Sequence, residues 1–143
     1  MKIENIELAY TKILYVFKNK IINYLKTLDA AQIDEVLKNR DCEIFSTQWT
    51  RVYNEVSKIK QKENLTEIYR KHDEKLRRNI FLEVYNITLS EDMASYVSDD
   101  FGLILDSLAF EYKDNWISSL WSQYIRGKMP QGELIPTDRT IEL

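Results

Sequence analysis

The sequence contains few of the residues on which enzyme chemistry depends. Its 143 residues include one cysteine, Cys42, and one histidine, His72. A single cysteine cannot form an intramolecular disulfide or a cysteine-based metal site. His72 lacks the carboxylate three positions earlier that di-iron helices use, because that position is Tyr69. We therefore predict no catalytic residues, no cofactor and no metal, and a protein that binds rather than transforms.

Long apolar runs are absent as well. The longest stretch without a charged residue, 115–125, has eleven residues, whereas a membrane-spanning helix needs about 18–20 apolar residues. The N-terminus carries Lys2, Glu4 and Glu7 with no apolar run after them, which is unlike a secretory signal peptide. We therefore expect a cytoplasmic protein that makes no contact with a membrane.

Helix-breaking residues are confined to one end of the chain. Residues 1–126 contain no proline and one glycine, Gly102, whereas two glycines and both prolines fall in the last seventeen residues. Because helix interiors tolerate proline and glycine least, we predict an all-α protein. It is a single compact helical bundle of five to six helices over residues 1–127, followed by an extended C-terminal tail over residues 128–143. Four large aliphatic residues in this tail favour docking on the bundle over full solvation.

Apolar periodicity indicates where the longest helices lie. In the first helix one stripe with three-four spacing is accompanied by a second stripe at Leu8, Tyr15 and Ile22. Two stripes indicate either a central helix or a face used for self-association. The last helix is predicted over residues 99–126 and ends at Gly127, which suits a left-handed C-cap. We place these two helices at the centre of the bundle.

Polar residues mark several helix starts. Asp29 followed by Gln32 resembles a capping box. Periodicity fails near residues 61–64, which predicts a break between two helices. Ser90 and Ser98 each precede two acids, and this pattern is typical of a helix N-terminus.

Charge is strongly segregated along the chain. Residues 51–80, the basic block, hold nine bases and five acids, whereas residues 81–114, the acidic block, hold eight acids and one base. Pairs such as Glu67 and Lys71 in the basic block have the spacing of ion pairs on a solvated helix surface. Contact with nucleic acid and contact with the chain's own acidic block are the alternatives. A pI near 5.3 argues against a dedicated nucleic-acid binder.

The acidic block has no such neighbouring bases, and it contains several aromatic residues. An acidic surface around aromatic anchors suits a basic protein partner, because charge steers the encounter and the rings supply affinity. A solvated face whose acids cap helices is the alternative. The candidate partner-binding residues are acids and tyrosines of this block: Glu91, Asp92, Tyr96, Asp99, Asp100, Asp106, Glu111, Tyr112 and Asp114.

These patterns predict a non-enzymatic binding protein. Its most concrete form is a bacterial immunity-type protein that neutralises a basic toxin, such as a nuclease, through an acidic surface that mimics the phosphate backbone. One alternative is a regulatory or nucleic-acid-associated helical module that uses residues 51–78. Another is a helical homodimer scaffold built on the two-faced first helix. We expect either a monomer or a homodimer.

Overall fold

The described part of the chain is built from six helices. The computed structural model describes residues 3–135. The first helix, α1, runs through Ile3–Val16, a π-helical turn at Phe17–Ile21 and Ile22–Lys26. The others are α2 (Ala30–Asp41), α3 (Glu43–Lys62), α4 (Glu67–Thr88), α5 (Glu91–Ala109) and α6 (Asn115–Ile125). Residues 3–135 contain no strand, and none of their helices is long and apolar enough to cross a membrane. The predicted all-α bundle of five to six helices is confirmed.

Two of the predicted helix boundaries are confirmed. The Asp29 carboxylate accepts a hydrogen bond from the Gln32 backbone N–H at 2.8 Å, and the Gln32 side chain accepts one from the Asp29 N–H at 2.9 Å. This capping box starts α2. The break predicted near residues 61–64 separates α3 from α4, and Thr66 caps α4 by accepting a hydrogen bond from the Tyr69 N–H.

The C-terminal third differs from the sequence-based prediction. Ser90 caps α5 as predicted, but Ser98 lies buried inside that helix and not at its start. The chain leaves α5 before Glu111, which has a left-handed φ of 54°, and Asp114 then caps α6. The predicted single helix over residues 99–126 is therefore wrong. The apolar repeat continued across the break because both α5 and α6 bury a face.

The central element of the bundle is α5. Every residue from 100 to 109 is buried, and all five other helices contact α5. A Cβ atom at Gly102 would lie 2.1 Å from Cζ of Arg77, so the guanidinium of Arg77 in α4 lies directly against the α5 backbone. The one glycine in the helical body is thus needed for close approach of a basic side chain to the acidic block.

Only one of the two apolar stripes of α1 is fully buried, and of the second stripe Ile22 alone packs partly against the core. Ile6, Ile13 and Phe17 on the first stripe are fully buried, whereas Leu8 and Tyr15 on the second are 53% and 62% exposed. The interpretation of α1 as a central helix is therefore wrong, because it packs through one face and lies at the side of the bundle. Self-association through the second stripe stays a prediction.

The described part of the tail, residues 128–135, packs against the helices. Met129 and Leu134 are buried, and the Gly132 backbone N–H donates to the Asn39 carbonyl at 3.0 Å. The tail thereby covers the C-terminal end of α2. Two of its four large aliphatic residues lie beyond residue 135 and so outside the described residues.

Candidate functional site

Asp100, one of the predicted partner-binding residues, lies in the interior of the bundle. Its carboxylate forms a bidentate pair with Arg40 of α2, and both N···O distances are 2.7 Å. Trp49 Nε1 donates to the same carboxylate at 2.9 Å, and the Tyr124 hydroxyl donates at 2.6 Å. Burial would lower the pKa of Arg40, but the charge and hydrogen bonds of Asp100 raise it above its ordinary value. Asp100 therefore ties three surrounding helices to α5.

Asp106 is buried further along the same helix. It accepts a hydrogen bond from the Tyr69 hydroxyl. Lys60 Nζ lies 3.1 Å and Arg77 Nη2 lies 3.6 Å from its Oδ2 atom. Burial raises the pKa of Asp106, although Lys60, Tyr69 and Arg77 all act in the opposite direction. A carboxylate in the interior needs such partners, because an unpaired buried charge is costly.

Asp114 and Tyr112 form a third internal contact at the start of α6. Besides capping that helix, Asp114 pairs with Arg51 of α3, whose Nη1 lies 2.9 Å from its Oδ1. The hydrogen bond from Arg51 to Asp114 raises the pKa of Arg51. The Tyr112 hydroxyl donates to Glu55, and burial together with this bond raises the pKa of Tyr112. Both residues thus hold α3 against the α5–α6 connection.

Bases of the basic block form ion pairs with acids of the acidic block within the folded chain. Arg51, Lys60 and Arg77 of the basic block all pair with carboxylates of the acidic block. This arrangement corresponds to the alternative of contact between the two blocks. Asp100 and Asp106 do not contribute to the exposed acidic surface that the sequence predicts, because they lie on the inward faces of the central helix.

The other predicted acids remain at the surface. Glu91, Asp92 and Asp99 are exposed on the N-terminal half of α5, and Tyr96 is half-buried among them. Asp92, Tyr96 and Asp99 follow the spacing of one helix face. Glu111 is also exposed, but it follows the other end of α5, roughly 18 Å from Asp99 and 30 Å from Glu91 at 1.5 Å per residue. The structure thus brings four candidate residues together and leaves Glu111 apart.

A cavity of about 260 Å³ opens beside this face. The Tyr96 hydroxyl donates to the Asp41 carboxylate, and this bond raises the pKa of Tyr96 to about 12. Burial raises the pKa of Asp99, although Arg77, with Nη1 3.6 Å away, opposes the shift. The lining residues come from α2, α3 and α5: Arg40, Asp41, Phe45, Ser46, Trp49, Thr50, Tyr96, Asp99 and Asp100. We call this the aromatic cavity.

Sequence reasoning missed the contribution of α2 and α3 to this site. Phe45, Trp49 and Tyr53 recur every four residues, and this spacing places them on one helix face. That repeat was the available signal for an aromatic surface. No local signal marks the pair of Arg40 and Asp100, because sixty residues separate them.

The arrangement has the features of a binding surface: exposed acids, half-buried rings and a cavity between them. No group of three or more His, Cys, Asp or Glu side chains within residues 3–135 is placed to hold a metal ion. The family model of immunity protein PIM1 matches residues 12–131. The chain belongs to this immunity protein family. The match spans the chain from within α1 to the docked tail, and so includes every residue that lines the aromatic cavity.

No curated protein matches the sequence of this immunity protein. Its family implies a toxin as its partner.

Proposed function

We propose that this immunity-type protein acts as a non-enzymatic inhibitor that binds a basic toxin, most concretely a nuclease, through the acids and rings on the N-terminal half of α5. The contact surface consists of Glu91, Asp92, Tyr96 and Asp99. We call it the α5 acidic face. The observation that carries the proposal is the position of these residues beside the aromatic cavity in a chain whose family implies a toxin partner.

Charge supports this choice of surface. Among the described residues, neither Glu91 nor Asp92 forms a salt bridge with a basic side chain, so their field is available to an incoming partner. The Asp99 Oδ1 atom lies 3.6 Å from Nη1 of Arg77, but the Asp99 side chain remains about half exposed. Exposed carboxylates of this kind raise association rates with basic surfaces.

The aromatic residues supply binding affinity, whereas the charges mainly raise the association rate. Interface affinity is concentrated in a few well-packed anchors, among which tyrosine and tryptophan are over-represented. Tyr96 and Trp49 both line the aromatic cavity. A nuclease is the favoured toxin because its substrate groove must be basic to bind phosphates, and an acidic face can occupy such a groove.

The test is charge reversal on this face. In the Asp92→Lys/Asp99→Lys double variant, we expect the dissociation constant for a catalytically inactive domain of the neutralised toxin to rise by about ten- to a hundredfold at low salt, mainly through slower association. Reversal of Asp100 or Asp106 would be uninformative, because those buried carboxylates hold the fold together. Surface plasmon resonance at two salt concentrations measures the association rate directly.

The matched control is Glu4→Lys/Glu7→Lys on α1, which makes the same change in net charge. Both acids are exposed, and the adjacent Ile6 packs near Ala109 at the far end of α5. We expect the control to leave toxin binding within about twofold of wild type, since charges beyond a Debye length are screened. Equal losses in both double variants would show that only total charge matters and would contradict the proposed surface.

A further inference from the structure

The aromatic cavity has the size of a site for one side chain. Its volume of about 260 Å³ lies below the roughly 300–1,000 Å³ of pockets that hold whole small ligands. Phe45, Trp49 and Tyr96 supply its apolar walls. Trp49 stacks on Tyr53 with an interplanar angle of 15°, which fixes the orientation of the indole. A flat group could therefore pack against a preformed aromatic wall.

The charges around the cavity favour a cation. Three carboxylates line it, Asp41, Asp99 and Asp100, together with the guanidinium of Arg40. A second guanidinium, that of Arg77, lies 3.6 Å from Asp99, so the acids around the cavity outnumber the bases by one. Both terminal nitrogens of Arg40 donate to Asp100, and its guanidinium lies 4.2 Å from the Phe45 ring centroid and 5.1 Å from that of Tyr96. The chain thus already holds one guanidinium against these rings. The other two lining carboxylates are Asp41, which accepts a hydrogen bond from Tyr96, and Asp99, which lies beside Arg77.

We infer that the aromatic cavity binds a single arginine side chain of the toxin, with its guanidinium stacked on Trp49 between Asp41 and Asp99. This inference rests on the proposed function, because the toxin supplies the arginine. Arginine fits better than lysine, since a planar and weakly hydrated guanidinium stacks on aromatic faces and pairs with two carboxylates at once.

The test needs no toxin. The 15N-labelled protein is titrated with N-acetyl-L-arginine methylamide and, separately, with the neutral citrulline analogue, while the indole N–H signal of Trp49 is followed by NMR. The Trp49→Phe variant assigns that signal. We expect a saturable shift with the arginine compound at a dissociation constant on the order of 1–10 mM, and no saturable shift with the citrulline compound.

Two variants of α3 make the test specific to the cavity. Thr50 lines the cavity, whereas Thr47 is exposed on the same helix and does not line it. Thr50→Phe fills the space without changing charge and should weaken arginine binding at least fivefold, and Thr47→Phe should leave it unchanged. Equal binding of the two compounds, equal binding in the two variants, or no saturable shift up to 50 mM would each overturn the inference.

Failure of this inference and failure of the proposed function give different results. If the Asp92→Lys/Asp99→Lys variant loses toxin binding while the arginine titration shows no saturation, toxin binding through the α5 acidic face is supported. The proposed arginine site is then wrong. If toxin binding survives the charge reversal while the titration saturates, the cavity binds arginine but the proposed surface is wrong.

Discussion

Asp99 and Asp100 are adjacent in the sequence, yet the structure gives them opposite roles. The Asp99 carboxylate is about half exposed and 3.6 Å from Arg77, whereas that of Asp100 is fully buried against Arg40. Substitution of each by asparagine removes one charge and keeps the shape of the side chain. The pair Asp99→Asn and Asp100→Asn therefore tests whether burial determines the effect.

The expected losses of unfolding free energy in the two asparagine variants differ severalfold. Asp100→Asn leaves the Arg40 guanidinium, 3% exposed, without a counter-charge. Breaking a buried ion pair from one side costs about 3–5 kcal/mol. Trp49 donates to Oδ1 of Asp100 and Tyr124 donates to Oδ2. An asparagine has only one acceptor oxygen and can keep only one of these two bonds, which favours the upper end of that range. Asp99→Asn removes a half-exposed pair, which is worth about 0–1 kcal/mol.

Urea denaturation followed by tryptophan fluorescence and far-UV circular dichroism measures both values. Domains of this size have unfolding free energies of about 5–15 kcal/mol, so a loss of 3–5 kcal/mol shifts the midpoint clearly. Arg40→Met combined with Asp100→Asn completes a double-mutant cycle, and we expect a coupling of at least about 2 kcal/mol. Equal costs for the two asparagine variants, or a coupling near zero, would refute the structural role of the pair.

Three further perturbations follow from single features of the fold. Leu89→Gly should raise the unfolding free energy by about 0.5–1 kcal/mol in urea denaturation, because Leu89 is 76% exposed and has a left-handed φ of 56°; a loss of stability would contradict this. Gly102→Ala should lower the unfolding free energy by about 1–2 kcal/mol, because the new Cβ displaces Arg77 from its carboxylate partners. This loss is expected although alanine is the better helix former. A stabilised variant would contradict the close contact between Gly102 and Arg77. Asp41→Asn should return the pKa of Tyr96 from about 12 towards 10, as followed by an NMR titration of the phenol. Since that pKa is raised in the folded protein, the contact stabilises the fold below pH 10 and its contribution is lost as the pH rises through about 12; a Tyr96 midpoint that does not move would contradict the assigned hydrogen bond.

Local patterns in the sequence were sufficient for the fold class. The absence of proline and near-absence of glycine before residue 127 predicted the helical body, and Asp29 with Gln32 predicted the start of α2. These signals work because capping and helix propensity involve residues within one turn of each other. The break between α5 and α6 has a capping residue, Asp114, which was interpreted from the sequence as a partner-binding acid. Its positive-φ residue is Glu111 and not glycine, so the turn itself had no clear signal.

The candidate site was only partly predictable, because burial depends on contacts between distant segments. Periodicity alone does not distinguish Asp99 on the surface from Asp100 in the interior. The difference comes from Arg40, which is sixty residues away and binds one carboxylate but not the other. The same holds for Asp106, whose partners Lys60, Tyr69 and Arg77 lie on two other helices.

The toxin footprint on the 17.1 kDa chain is accessible by 1H–15N NMR with an inactive toxin domain at saturation. If the α5 acidic face and the aromatic cavity form the contact, the largest amide shift changes fall in residues 40–50 and 91–99. Changes centred instead on Glu111 and the N-terminal half of α1, with residues 91–99 unaffected, would contradict toxin binding through the α5 acidic face.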